Sequence, residues 1–376
     1  MDKENLWEDK MAKIDQYFLN FTDKLGYIDL KKESSYDLLN KTPLALYTKD
    51  LSENVISGEF ENKINLDIIL DGLIMNLGID KDFRYKETYI KIIENYIKNI
   101  GAYTSQKALK IIEKSPEKSL LLLRGGYIIN PFDKYNSYNY ARILWPKAYE
   151  DTEYKDEFIK EALRILQEII NQDEEFPLSY YELGNIYANL GEYIKARSYY
   201  ENALQRTKDI QAQDEIRDKI KMIFDNAEIE EGLYYIGKGN FNKAIQILTR
   251  LLSKTKRADA YYYLAVAYQN IGQYENSNLA FKNSLEKGGE FRELYNDYAI
   301  SLYATKKPID AIEIINQGLK KYPEDPRMIY NRLQINLSLN NIKKAKEDIK
   351  NLESYDDLSD ELSRNIQIIK DQYKLN

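Results

Sequence analysis

The side chains that most often perform chemistry in proteins are missing from this sequence, which has no histidine and no cysteine among its 376 residues. Histidine is the commonest general base and metal ligand, while cysteine supplies thiolate nucleophiles, disulfides and zinc ligands. Catalysis would therefore depend on carboxylate, lysine, tyrosine or serine side chains. The paired acids are adjacent in sequence, so on a helix they point about 100° apart and do not converge on one substrate atom. These pairs are Glu174-Glu175, Glu230-Glu231 and Asp356-Asp357.

Glycine clusters are the second feature that could indicate a reaction, because glycine-rich loops bind phosphate groups. The clusters Arg124-Gly125-Gly126 and Gly237-Lys238-Gly239 match neither a Walker loop, nor a Rossmann fingerprint, nor a nucleophile elbow. The sequence therefore predicts a protein that is not an enzyme, with no catalytic residue, no cofactor and no metal site.

Net charge and hydropathy limit the classes of partner that the sequence predicts. The chain carries 54 basic and 61 acidic residues, a net charge of −7, which argues against a nucleic-acid partner because nucleic-acid binders usually present a basic face. The most apolar stretch, Leu66 to Ile79, contains Asp67 and Asp71, so we expect no membrane partner. The first residues lack the basic start and apolar core of a signal peptide, and the expected location is cytoplasmic.

An internal repeat determines the expected architecture. Small residues recur with gaps of 34, 48, 33, 34 and 34 residues, and three of them follow a glycine by five positions and an aromatic residue by three. The small residues are Ala162, Ala196, Ala244, Ser277, Ala311 and Ala345; the glycines and aromatics are Gly191 and Tyr193, Gly239 and Phe241, and Gly272 and Tyr274. A period of this length is typical of stacked helix pairs, each of which needs its neighbours to bury its apolar face.

The unit that starts at Pro177 resembles the tetratricopeptide repeat, a 34-residue pair of antiparallel helices. The residues that carry the resemblance are Tyr180, Leu183-Gly184, Tyr187, Gly191, Tyr193, Ala196, Tyr200 and Ala203. The resemblance implies an all-α fold: a right-handed superhelical α-solenoid of such helix pairs, with an N-terminal helical extension. The predicted domains are an N-terminal helical region (1–90), degenerate helical repeats (91–154), the repeat array (155–355) and a C-terminal capping helix (356–376).

The 48-residue gap exceeds the repeat by 14 residues, which is about four helical turns. Ile216, Ile220, Ile223 and Ala227 continue a helical spacing across it, and no glycine or proline interrupts residues 209–231. The sequence therefore predicts that the first helix of that unit is extended backward to start near Gln211.

The resemblance also implies a binding groove, because the first helix of each tetratricopeptide unit faces the concave side. The groove residues predicted in this way are rich in amide and phenol groups: Tyr181, Asn185, Asn189, Tyr262, Gln269, Asn270, Asn296, Tyr303 and Tyr330. Amides pair with the backbone of an extended peptide, and tyrosine supplies stacking area. A clamp for a C-terminal carboxylate is disfavoured, because Tyr181 and Asp259 stand where chaperone-binding relatives use lysine.

These sequence features leave three alternative functions open. The leading one is a non-catalytic scaffold that binds a peptide segment or a partner protein in the groove. The second is a peptide-responsive regulator that sequesters a protein through its N-terminal region, where 9 basic and 13 acidic residues within positions 1–65 argue against a DNA-binding helix-turn-helix. The third is an enzyme with a catalytic domain in residues 1–150, which no spaced carboxylate motif supports.

Overall fold

The computed structural model describes residues 13–30, 34–49, 65–355 and 357–375. Within these residues helices dominate, and the fold is all-α. None of the described helices combines the length and the apolar character that a bilayer-spanning helix needs. The chain forms two compact units, of which the first ends at Lys221 and the second begins at Met222. The four domain ranges predicted from the sequence stay a prediction, and residues 1–12, 31–33, 50–64, 356 and 376 of those ranges lie outside the described residues.

The first unit consists of short elements followed by helix pairs. Its helices are α1 (residues 13–19), α2 (Asp37–Asn40), α3 (Leu66–Ile79), α4 (Lys86–Tyr96), α5 (Ile100–Ile111), α6 (Pro116–Ile129), α7 (Lys134–Leu144), α8 (Lys155–Gln172), α9 (Pro177–Asn189) and α10 (Tyr193–Arg206). Short 3-10 helices lie at Thr22–Lys24 and Trp145–Tyr149. The central packing in this unit is between α3 and α6, between α5 and α6, and between α9 and α10.

A β-hairpin corrects the expectation that residues 1–90 are entirely helical. Strand β1 (Leu25–Ile28) pairs antiparallel with β2 (Leu44–Tyr47), with Leu25 opposite Tyr47. All four residues of β2 are buried, and the strand packs on α3. A fully buried strand of four residues has no alternation of polar and apolar side chains, so its pattern cannot be told from that of a buried helix.

Helix α11 (Ile210–Gly237) crosses the boundary between the units, and its start confirms the predicted extension of that repeat's first helix. The second unit continues with regular helix pairs. These are α12 (Phe241–Leu252), α13 (Ala258–Asn270), α14 (Tyr274–Glu286), α15 (Arg292–Ala304), α16 (Pro308–Lys321), α17 (Pro326–Ser338), α18 (Ile342–Leu352) and α19 (Asp360–Tyr373). Three helices of the array begin with a proline, whose fixed φ suits the first helical turn: Pro177, Pro308 and Pro326.

The small residues of the repeat lie where the helices pack most closely. All six predicted positions, from Ala162 to Ala345, have side chains with no exposed area. Large side chains fill the space between neighbouring pairs, as Phe281, Tyr295 and Met328 do in the core of the second unit. The last helix, α19, buries Ile366 and Ile369 in a second apolar cluster together with residues of α17 and α18.

The turns between paired helices have the left-handed backbone that the glycine pattern predicts. Gly191, Gly239 and Gly272 have φ values of +77°, +72° and +75°. Each stands two residues after a first helix ends. In the two later units Lys306 and Asn340 occupy the corresponding place, with φ values of 60° and 58°. The left-handed turn is therefore retained in units that lack the glycine. A positive φ costs steric energy in any other residue, and the cost is smaller for asparagine than for lysine.

Candidate peptide-binding surface

The predicted groove residues lie on first helices in both units, and each unit presents its own part of the surface. Helix α9 of the first unit carries Tyr181, Asn185 and Asn189. In the second unit α13 carries three predicted residues, α15 two and α17 one; these are Tyr262, Gln269, Asn270, Asn296, Tyr303 and Tyr330. The groove assignment as a whole stays a prediction, but the local environment of each residue is defined.

In the first unit, the three residues of α9 use their polar groups for contacts within the protein. The Tyr181 hydroxyl donates a hydrogen bond to Glu215, and the Tyr200 hydroxyl donates to Asn185 Oδ1 at 2.8 Å. The Asn189 amide donates to the carbonyl of Asn185 at 2.9 Å. A ligand on this face would have to displace these bonds to reach the same groups.

A buried carboxylate, Glu182, lies at the centre of this network and was not predicted. Its side chain is 4% exposed. It accepts hydrogen bonds from Trp145 Nε1 at 2.6 Å and from Asn185 Nδ2 at 3.3 Å. Burial raises the pKa of the Glu182 carboxyl above its usual range, and the bonds from Trp145 and Asn185 oppose that rise. No residue of the family pattern marks this position, so the sequence offered no signal for it.

The raised pKa of Glu182 predicts a stability that depends on pH. The folded state keeps the proton to a higher pH than the unfolded chain does, so this group's contribution to stability falls as pH rises from the unfolded pKa through the higher folded pKa. Glu182→Gln removes that fall. We therefore expect the free energy of unfolding of the wild type, minus that of the variant, to decrease with rising pH and then to level off.

Urea titrations at a series of pH values, followed by tryptophan fluorescence, measure this difference. Glu201→Gln is the matched control, because Glu201 is an exposed acid on the neighbouring helix α10. A difference for Glu182→Gln that stays constant or grows with pH would contradict the assigned environment.

In the second unit, hydrogen bonds connect successive first helices side by side. The Tyr262 hydroxyl on α13 donates to Asp297 Oδ2 on α15 at 2.8 Å. The Asn331 amide on α17 donates to Asn296 Oδ1 on α15 at 2.6 Å. The Tyr262 ring also packs edge-on against Phe291, with 4.8 Å between ring centroids. Asp297, which was not predicted, also accepts a hydrogen bond from the Asn296 amide at 3.4 Å. It therefore contacts both predicted residues, Tyr262 and Asn296.

A cavity of about 320 Å³ opens beside these bonds, between the start of α15 and the start of α17. It is lined by Arg292, Glu293, Asn296, Asp297, Asp325, Pro326 and Arg327. Burial raises the pKa of the Asp297 carboxyl, and the hydrogen bonds from Tyr262 and Asn296 oppose the rise. Although three carboxylates line the cavity, no group of three or more acids among the described residues is placed to hold a metal ion.

Farther along the same helices the surface becomes aromatic and aliphatic. Tyr303 is 43% exposed and Ile300, one turn before it on α15, is 40% exposed. On the neighbouring helix the Tyr330 hydroxyl accepts a hydrogen bond from Gln334 at 3.1 Å. Asn270 is exposed but donates its amide to the carbonyl of Val266 at 2.9 Å, while Gln269 is half-buried. These side chains form a mixed polar and apolar surface beside the charged cavity.

Comparison with known proteins agrees with the helix-pair geometry. Residues 177–210, which comprise α9, α10 and the turn between them, match the family model of the tetratricopeptide repeat. The protein contains a tetratricopeptide repeat. No curated protein sequence matches the chain.

Solved structures of other proteins resemble parts of the chain at low identity. The type IV pilus biogenesis factor PilW is 16% identical, with a TM-score of 0.41, over 60% of this chain and 98% of that one. The C-terminal part of a tetratricopeptide protein from Cytophaga hutchinsonii is 16% identical, with a TM-score of 0.43, over 69% and 98%. MamA from Desulfovibrio magneticus is 18% identical, with a TM-score of 0.35, over 50% and 97%. Likenesses this distant say nothing of the present protein's partners.

Proposed function

We propose that this protein is a non-catalytic interaction scaffold that binds an extended peptide segment of a partner protein on the first helices of its second unit. Tetratricopeptide helix pairs fit a protein-interaction scaffold, although the fold does not specify the ligand. The observation that carries the proposal is the surface of α15, where the exposed side chains Ile300 and Tyr303 follow the cavity-lining residues Asn296 and Asp297 along the helix.

The composition of this surface suits an extended peptide. Amide side chains such as Gln269 and Gln334 carry both donors and acceptors, which match the alternating carbonyl and N–H groups of a peptide backbone. Tyr303 offers a large contact area with only two rotatable bonds, so its ordering on binding costs little entropy. In this proposal the α9 residues Tyr181, Asn185 and Asn189 have a lesser part, because they belong to the first unit, whereas the exposed apolar side chains Ile300 and Tyr303 belong to the second.

The rest of the proposal follows from the sequence. The net charge of −7 favours a protein or peptide partner over a nucleic acid, and no cofactor or metal is required for binding. A cytoplasmic location and the lack of a membrane partner are parts of the same proposal.

Removing the exposed apolar contacts of α15 tests the proposal. The double variant Ile300→Ala/Tyr303→Ala should weaken peptide binding by about tenfold or more, because central aromatic and aliphatic contacts carry most of the binding energy at such surfaces. Binding is measured by fluorescence anisotropy with labelled peptides that are selected on the wild type from an array of random eleven-residue peptides.

The control is Leu279→Ala/Ile309→Ala, which removes two apolar side chains that are 61% and 73% exposed on the second unit's α14 and α16. We expect this variant to bind as the wild type does. Equal losses in both variants, or no loss in either, would show that the first-helix surface of α15 is not the binding site.

A further inference from the structure

We propose that the cavity between α15 and α17 binds a lysine or arginine side chain of the partner peptide, with the Asp297 carboxylate as its ion-pair partner. This inference rests on the proposed function, because it names a residue type within the bound peptide.

The charges of the cavity do not balance. It is lined by three carboxylates and two guanidinium groups. Arg292 and Asp325 form an ion pair with 3.8 Å between Nε and Oδ2, and Arg292 also lies over the Tyr322 ring at 5.6 Å from its centroid. Asp325 is 5% exposed and caps α17 by accepting the Met328 N–H at 3.0 Å. This pair is therefore engaged in the structure of the unit, and Glu293 and Asp297 are left to face Arg327.

Of the two remaining carboxylates, Asp297 is the deeper and is held by neutral donors. Its oxygens accept from the Tyr262 hydroxyl at 2.8 Å and from the Asn296 amide at 3.4 Å. Among the described residues it has no ion pair. Neutral hydrogen bonds satisfy part of the acceptor capacity of Asp297, and the single Arg327 guanidinium balances only one of the two remaining negative charges. A cation that enters the cavity would compensate it, in surroundings where water screens the attraction less than at an open surface.

The position and size of the cavity fit one long side chain of a bound peptide. Its volume of about 320 Å³ lies at the lower limit of small-molecule sites, and it opens on the same helices as Ile300 and Tyr303. A lysine or arginine side chain has an apolar stem and a charged end, so the stem can contact Pro326 while the charge reaches Asp297. Arg327 is exposed at the start of α17, where it can donate hydrogen bonds to peptide carbonyl groups.

Peptide variants on the intact protein test the inference. The strongest binders from the random eleven-residue array are resynthesised with each basic residue replaced by norleucine, which keeps the stem and removes the charge. On the wild type, one such replacement should weaken binding by about tenfold, because it removes a charge-assisted hydrogen bond from a partly buried carboxylate. On Asp297→Asn the same replacement should change the affinity by less than about threefold.

Asp297→Asn keeps the acceptor for Tyr262, and thermal melting of the variant verifies that it is folded. Asp310→Asn is the control for net charge, because Asp310 is exposed on α16 outside the cavity lining. It should leave the norleucine effect unchanged.

The remaining outcomes separate this inference from the proposed function. Tight binders that do not depend on a basic residue, or that depend on an acidic one, would overturn the inference while peptide binding stands. If no peptide of the array binds the wild type, the proposed function fails, and the inference fails with it.

Discussion

Gly125→Ala should destabilise the first unit by about 3 kcal/mol or more, because its α-carbon lies against the backbone of another helix. A β-carbon built at Gly125 on α6 would overlap the carbonyl oxygen of Ile74 on α3 and would lie 2.8 Å from its carbonyl carbon. Gly78 makes the reciprocal approach from α3 to the backbone of Leu121. Backbone atoms cannot rotate away as a flexible side chain can, so the two helices would have to separate and lose their buried contacts.

Urea unfolding followed by tryptophan fluorescence measures this effect selectively. Both tryptophans of the chain, Trp7 and Trp145, belong to the sequence of the first unit. Gly237→Ala is the matched control, because a β-carbon there meets no atom within 4 Å and the residue ends a helix; since Gly237 lies in the second unit, the unfolding of both variants is also followed by far-UV circular dichroism. It should be neutral or stabilising by up to about 1 kcal/mol. A loss below about 1 kcal/mol for Gly125→Ala would mean that the helices do not pack this closely.

Gly125 also shows what the sequence could and could not reveal. The cluster Arg124-Gly125-Gly126 stands out in the sequence, where it lacks phosphate-loop spacing, and in the structure it lies within helix α6. Its place at a helix contact depends on α3, which lies about 45 residues earlier and carries no repeat signal. Close packing between helices distant in sequence leaves no periodic pattern, whereas packing within a repeat does.

The repeat region was predictable for the opposite reason. Each unit must bury the same face against its neighbours, so small residues such as Ala196 and Ala244 recur at places with no exposed area. The extended helix α11 was predictable because its apolar spacing continues without a breaker. The hairpin Leu25–Ile28 with Leu44–Tyr47 was missed because a short buried strand lacks alternation.

The candidate site was predictable only in part. The repeat register indicates which residues face the groove, such as Tyr262 and Asn296, but not which of them bond to each other. The partner of Tyr262 is Asp297, which stands 35 residues later and therefore one position beyond the repeat period. The charged cavity depends on this one-position offset between neighbouring first helices. The offset cannot be predicted from the sequence of a single unit.

Arg124→Met should destabilise the first unit by about 2 to 3 kcal/mol. The Arg124 side chain is 4% exposed, donates to the carbonyl oxygens of Gly78 and Ile79, and forms an ion pair with Asp15 at 2.5 Å. Its guanidinium also lies over the Phe18 ring at 3.9 Å from the centroid. Methionine fills much of the volume but leaves buried carbonyl groups without a donor. The same urea titration measures the loss.

Arg217→Met is the control, because Arg217 and its partner Asp214 are both more than half exposed; it should change stability by less than about 0.5 kcal/mol. A double-mutant cycle with Asp15→Asn then separates the two kinds of contact made by Arg124. Asp15 is also paired with Lys81 at 2.5 Å, so Asp15→Asn alone tests the ion pairs and leaves the carbonyl bonds intact. We expect it to cost less than Arg124→Met, since the arginine's main role is to cap carbonyl groups at the end of α3. Equal costs for the two variants would instead assign the stabilisation to the ion pair.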